Sequence, residues 1–226
     1  SKILNEIDKI VTNKRYEFLT SSVQEYFVDD LINLTFNIKE SDKFYIEKIN
    51  IYGNNITEER VLREIFLIDE GDALNELLFA KSINNLKALN FFKNVKSKVT
   101  EGADQGKKIL NITVEEKPTG EISAGAGVGT SGSKVSFGIK ENNFLGRGIR
   151  FGSDIIMGTE SVKGIISLNN PNYKGTDRSL NFSAESIVVD RKKNYGYESN
   201  RTGFLISTGY EMYEDTTFNM GVSSYI

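Results

Sequence analysis

The 226-residue sequence contains no cysteine and no histidine. Without cysteine there are no disulfides, no thiolate metal sites and no cysteine nucleophile. Without histidine the commonest general base, the base of a serine triad and the commonest metal ligand are all missing. Carboxylates and lysines remain, but no acid–base pair or metal set emerges from them. The chain is therefore read as a non-enzyme with no catalytic, cofactor-binding or metal-binding residue. An excess of charge is lacking too: 28 Lys+Arg against 31 Asp+Glu leaves a net charge of −3, which gives no general attraction to nucleic acid. No apolar run approaches the ~20 residues of a membrane helix. In place of a signal sequence, Ser1 leads straight into a helical pattern of Ile3, Leu4, Ile7, Ile10 and Val11. The chain is expected to begin inside a longer one.

Glycine is abundant but uneven. Residues 1–117 hold four of the 20 glycines, at 53, 71, 102 and 106, and residues 118–226 hold the rest. The change falls at Lys117-Pro118-Thr119-Gly120, where a domain boundary is expected.

The first half repeats itself. A shift of 76 residues lays Ile7 on Ile83, Ile10 on Leu86, Val23 on Val99, Leu34 on Leu110, Phe36 on Ile112 and Ile38 on Val114. Residues 1–41 thus read as the end of one unit and 42–117 as a complete copy. That copy reads strand, helix, helix, strand, strand. Lys43–Tyr52 is β-rich, and Thr57 is placed to cap a helix carrying Val61, Leu62 and Ile65. A second helix carries Leu74, Leu77, Phe79, Ile83 and Leu86. Asn94–Thr100 and Lys108–Glu115 close the unit, with Leu110, Ile112 and Val114 alternating. Two helices on one face of a three-stranded sheet form an α+β core. Asp69, Glu70 and Asp72 lack the twelve-residue Ca²⁺-loop pattern and read as a solvated turn. Phe91-Phe92 reads as core.

After Gly120 the period becomes two. Ile122, Ala124, Ala126 and Val128 share one face, opposite Ser123, Gly125, Gly127 and Gly129. Six more alternating segments follow, ending with Phe218, Met220 and Val222. Seven strands of this length are the signature of an antiparallel transmembrane β-barrel, incomplete at this count. Tyr195, Tyr197, Tyr210, Tyr213 and Tyr225 near strand ends suit an aromatic girdle. A soluble antiparallel sheet packed on one face shows the same alternation, and the pattern alone does not separate the two. Leu205, Ile156 and Ile165 break the polar face. The glycine-rich stretch 120–134 is not a phosphate loop. Gly127 and Gly132 fit the two-glycine frame, but Ser133 stands where lysine is required, and a strand follows instead of a helix.

Some short segments add a resemblance. Phe44–Ile49 with Gly53-Asn54, Leu89–Val95, Glu116–Gly120, Asn142–Gly148 and Asn170–Tyr173 resemble conserved joints of the POTRA-plus-barrel family, whose members assemble or translocate outer-membrane proteins. The resemblance implies that 1–41 end the fourth POTRA domain, that 42–117 are the fifth, and that 118–226 are the first barrel strands. It implies a bacterial outer-membrane location with periplasmic POTRA domains, and an assembly factor that inserts β-barrel clients. Client, lipid and accessory lipoproteins are the implied partners. The lateral-gate strand would be Ile122, Ala124, Gly125, Ala126, Gly127, Val128 and Gly129. The client-accepting edge would carry Val95, Ser97 and Val99, and Arg63 and Glu70 would meet an accessory lipoprotein. Asn143, Phe144, Leu145, Gly146, Arg147 and Gly148 would form a periplasmic turn. Thr130–Ser133 and Val189–Asn200 would be external loops. TamA-like proteins and two-partner secretion pores share this plan; a passive porin and a soluble binding module are the remaining readings.

Overall fold

The computed structural model describes residues 19–28, 31–40, 44–129, 132–176, 178–213 and 216–226. The helical pattern at 3–11 and the loop residues Thr130 and Ser131 lie outside the described residues. By the density of internal contacts the chain divides into two compact units. One comprises 1–55 with 62–117; the other comprises 118–226 with the short segment 56–61.

In the first unit, β1 (Leu19–Val28) and β2 (Leu31–Glu40) form an antiparallel pair. A separate three-stranded sheet has the order β3–β5–β4, with β3 at Tyr45–Tyr52, β4 at Phe92–Glu101 and β5 at Lys107–Glu116. The central β5 runs parallel to β3 and antiparallel to β4. The two hairpins follow the repeat with one difference. Val23 faces Phe36, but its counterpart Val99 faces Leu110 and not Ile112. A shift of two residues keeps every side chain on its own face, and it accompanies the longer connection 102–106 in the second copy.

The helices lie at Glu59–Arg63 and Glu76–Ala88. The second is capped by Asn75, whose side chain accepts from the Leu77 and Leu78 amides, satisfying two of the donors a helix start leaves open. The first is shorter than its apolar pattern suggests. The amides of Ile65 and Phe66 bond back to Leu62 and Arg63, tightening the chain into turns before the helix can continue. Thr57 precedes this helix by two residues, and its hydroxyl accepts a bond from Asn143. Leu62, Leu86, Leu110 and Ile112 are fully buried, and Ile46, Ile49, Phe91 and Phe92 nearly so. Each such side chain contributes roughly 1.5–3 kcal/mol by leaving water. Ser82 is buried among them with both bonding roles filled: it accepts from the Leu67 amide and donates to the Leu78 carbonyl.

The second unit is a seven-stranded antiparallel sheet in which every strand pairs with its sequence neighbour, from β6 (Gly120–Gly129) to β12 (Thr216–Tyr225). Between them run β7 (Gly132–Phe144), β8 (Ile149–Gly158), β9 (Ser161–Asn170), β10 (Arg178–Arg191) and β11 (Tyr197–Tyr213). The register joins Ala124 to Phe137 to Ile155, and Ile166 to Ala184 to Phe204, in rows on one face. The other face carries Lys163, Glu185 and Arg201, where Glu185 bridges both cations.

Two expectations need correction. Val189–Asn200 is not a long loop: β10 and β11 stay paired up to Arg191 opposite Tyr197, and a short helix at Lys192–Tyr195 closes the hairpin. Ion pairs of Arg191 with Glu160 and of Lys192 with Glu198 hold this charged tip together. Tyr225 does not join an apolar girdle. It lies opposite Gly203 with Arg201 over its ring, on the polar face.

Candidate functional site

β6 is the terminal strand of the seven-stranded sheet, and all ten of its residues are exposed. Its register with β7 is unbroken, from Gly120 opposite Glu141 to Gly129 opposite Gly132. Ile122 is 86 % exposed and Val128 88 % exposed, on the same face as Ala124 and Ala126. The other face is nearly bare. A Cβ on Gly127 or Gly129 would meet nothing within 4 Å, and one on Gly125 would reach only the Ser136 hydroxyl, at 3.0 Å. Crowding inside the described sheet therefore does not demand these glycines. What they do is weaken the strand, since glycine adds backbone entropy and no packing.

The turn residues form a connected set within the second unit. β7 runs further than its alternation suggests, through Asn143 and Phe144, with a register shift after Glu141. Asn143 is 6 % exposed. Its carbonyl oxygen accepts from the Gly148 amide and its amide donates to Thr57, each at 2.8 Å. Leu145, Gly146 and Gly148 all have positive φ. The Gly146 carbonyl accepts from the Glu58 amide at 2.8 Å, and Arg147 reaches the Glu58 carboxylate at 3.0 Å. Phe144 stacks on Phe151 at 5.3 Å. The turn is thus fastened to segment 56–61 by three groups, one from each of three residues. The Asn143–Thr57 link joins residues 86 apart, and no local sequence signal announces it.

β4 is one edge of the three-stranded sheet, pairing with β5. Val95 is buried in the core, whereas Val99 is exposed. Lys96 and Lys98 on this strand disfavour pairing with a second copy of itself.

Arg63 and Glu70 come together, and both hold β3. The Glu70 carboxylate accepts from the Ile49 amide at 2.9 Å, and Arg63 donates to the Ile49 carbonyl at 2.9 Å. Arg63 and Glu70 also contact each other at 3.4 Å. Nearby, Asp72 accepts from the Asp69 amide, closing the turn on itself. The Ile49 bond holds the Glu70 carboxyl below its ordinary value; partial burial opposes this, and Arg63 and Lys48 assist it. A depressed folded value means stability that is present above the unfolded value near 4.5 and lost as pH falls through the folded one. The melting-temperature gap between the parent protein and Glu70→Gln should therefore be open at neutral pH and close as pH falls below that value.

No described helix is long and apolar enough to cross a membrane, which says nothing of strands. Among the described residues no group of three or more Asp or Glu is placed to hold a metal ion.

The POTRA family model, described as a surface antigen variable number repeat, matches residues 44–117. Curated relatives include the outer membrane protein assembly factor BamA of Neorickettsia risticii, 28 % identical over 94 % of this chain and 29 % of the relative. BamA of Neisseria meningitidis serogroup B is 24 % identical over 97 % of this chain and 27 % of the relative. The chain thus spans less than a third of the length of these relatives. Among solved structures, BamA from Haemophilus ducreyi lacking POTRA domains 1–3 superposes with a TM-score of 0.74 at 22 % identity, covering 98 % of this chain and 43 % of that one. CdiB from Acinetobacter baumannii gives 0.56 at 14 % identity, covering 100 % and 46 %. At these identities the structures speak for the fold. With the sequence relatives, they make the whole chain similar to the BamA outer-membrane assembly factors, and residues 44–117 match the POTRA family.

Proposed function

We propose that the chain is the working junction of an outer-membrane assembly factor, a non-enzymatic insertase. Its seven strands cross the outer membrane as part of a barrel, and residues 44–117 stand in the periplasm. The apolar face of the sheet supports this. Phe137, Ile139, Ile155, Ile166, Phe204 and Val222 are all more than a third exposed on one side, an extended apolar face of the kind that marks a membrane or partner surface. Lipid would cover it, and the polar face would line a wet lumen. The turn Asn143–Gly148 then faces the periplasm and the Lys192–Tyr195 tip faces outward.

The observation that carries the insertase reading is the glycine face of β6, where a Cβ at Gly127 or Gly129 meets nothing within the described sheet; exposure alone does not mark it, since β12 at the other edge is exposed throughout as well. Such an edge offers backbone donors and acceptors to a client strand, while its glycines keep any seam weak. The β4 edge would take unfolded clients by strand addition on their way to it. Accessory lipoproteins would meet the Arg63–Gly71 segment. No cofactor or nucleic acid enters this scheme.

A translocation pore is the second reading, favoured by the CdiB likeness, which extends over the whole chain. The two readings part on reconstitution of the whole protein into liposomes. Deleting residues 44–117 should abolish insertion of a barrel client if the protein is an insertase. Undiminished activity together with steady ion conductance would instead support a pore.

A further inference from the structure

The two edges of the three-stranded sheet are not equivalent, and the difference lies in β3. The start of β3 already carries a strand. The Leu74 amide bonds to the Phe44 carbonyl, the Gly71 amide to the Ile46 carbonyl and the Ile46 amide to the Asp72 carbonyl, each at 2.8 Å. Tyr45 and Ala73 form an antiparallel bridge. At Ile49 this backbone partner has ended, and side chains take its place. Glu70 supplies the acceptor that a neighbouring carbonyl would supply, and Arg63 supplies the donor of a neighbouring amide, each at 2.9 Å. One residue of an added antiparallel strand offers the same pair of groups. Both side chains remain substantially exposed, Arg63 at 40 % and Glu70 at 44 %. The cover over Ile49 can therefore be withdrawn without opening the core, whereas the cover over Ile46 is fixed backbone.

We propose that Arg63 and Glu70 form a side-chain clip that occupies the β3 edge at Ile49, keeps extended polypeptide off that edge and so makes β4 the accepting edge of the domain; releasing the clip converts β3 into a second strand-accepting edge. The occupant is an extended, unfolded polypeptide segment, because the groups uncovered at Ile49 are one amide and one carbonyl continuing the ladder begun by Gly71–Leu74. A partner that draws off Glu70 with a cation, or Arg63 with a carboxylate, would release the clip. This goes beyond the insertase reading, since it concerns which edge of the domain accepts a strand whatever the whole protein does.

The test uses the whole protein in detergent with Arg63→Ala and Glu70→Ala combined. Amide hydrogen exchange should speed up by about tenfold or more in the segment 47–52, as expected on losing two charge-assisted bonds. Exchange at 44–46 should not change. A synthetic β-strand peptide bearing a photo-crosslinker should gain crosslinks to Lys48 and Asn50 in the variant and give none there in the parent. Unchanged exchange at 47–52, or faster exchange with no new β3 crosslinks, would overturn the proposal. If the double variant does not fold, Glu70→Gln with Arg63→Lys decides. It keeps weaker forms of both bonds, so partial gains at β3 are expected, and the absence of any gain overturns the clip. Crosslinks to β4 in the parent report separately on the insertase reading.

Discussion

Valine at Gly125, Gly127 and Gly129 together is expected to leave the barrel folded and to cut client insertion by about tenfold or more. The two parts of that result have separate causes. Folding survives because a Cβ at Gly127 or Gly129 meets nothing within the described sheet, and one at Gly125 meets only a hydroxyl that can rotate. Insertion falls because β6 becomes a better strand. Valine exceeds glycine in strand preference by up to about 1 kcal/mol per position, so three replacements strengthen the seam on either side of β6 by roughly 2–3 kcal/mol. Each ~1.4 kcal/mol against opening is a factor of ten. Gly164→Val is the control. It also meets open space, but on β9 inside the sheet, and should leave insertion unchanged. The measurement is the rate of barrel insertion into liposomes by each purified variant. Equal rates for the triple variant and the parent would discard the weak-seam role of the glycines.

Gly146→Val is expected to be among the most disruptive single changes in the second unit. The residue has φ +71, and a Cβ there would collide with the Ile56 carbonyl oxygen. Backbone strain of this kind costs about 1–3 kcal/mol, and escaping the collision would also strain the Glu58–Gly146 bond and the Arg147–Glu58 pair. Limited proteolysis should then cut within 56–61, with melting several degrees lower. The adjacent change Leu145→Gly should have the opposite character. Leu145 is 68 % exposed at φ +56, so glycine relieves strain there and loses little packing. Equal sensitivity at the two positions would contradict the account of this turn.

Much of this was legible in the sequence because period two and period 3.6 are written in apolar residues. Ile122 to Val128, Val135 to Ile139, Phe218 to Val222, and Leu110, Ile112 and Val114 all announced their strands. The hidden parts depend on bonds between distant residues or on backbone groups. Thr57 looks like a helix cap from its neighbours, and nothing in those neighbours signals that its hydroxyl accepts from Asn143. The run Asp190–Lys193 looks like a solvated loop, yet Lys192 pairs with Glu198 across a tight hairpin and Arg191 with Glu160 in the neighbouring β8–β9 turn. Arg63 and Glu70 reach the backbone of Ile49, and nothing in the identity of isoleucine signals that. The glycines of β6 were legible as a bare face; that a Cβ at Gly127 or Gly129 meets nothing within the described sheet is visible only in the fold.

The most direct test of the central claim places single cysteines at positions 122, 124, 126 and 128 of the full-length protein and supplies a barrel client with cysteines along its C-terminal strand. The account predicts disulfide crosslinks during insertion with a fixed register along β6, and none from matched cysteines on β9. Folded, active protein giving no β6 crosslinks, or giving them equally from β9, would contradict it.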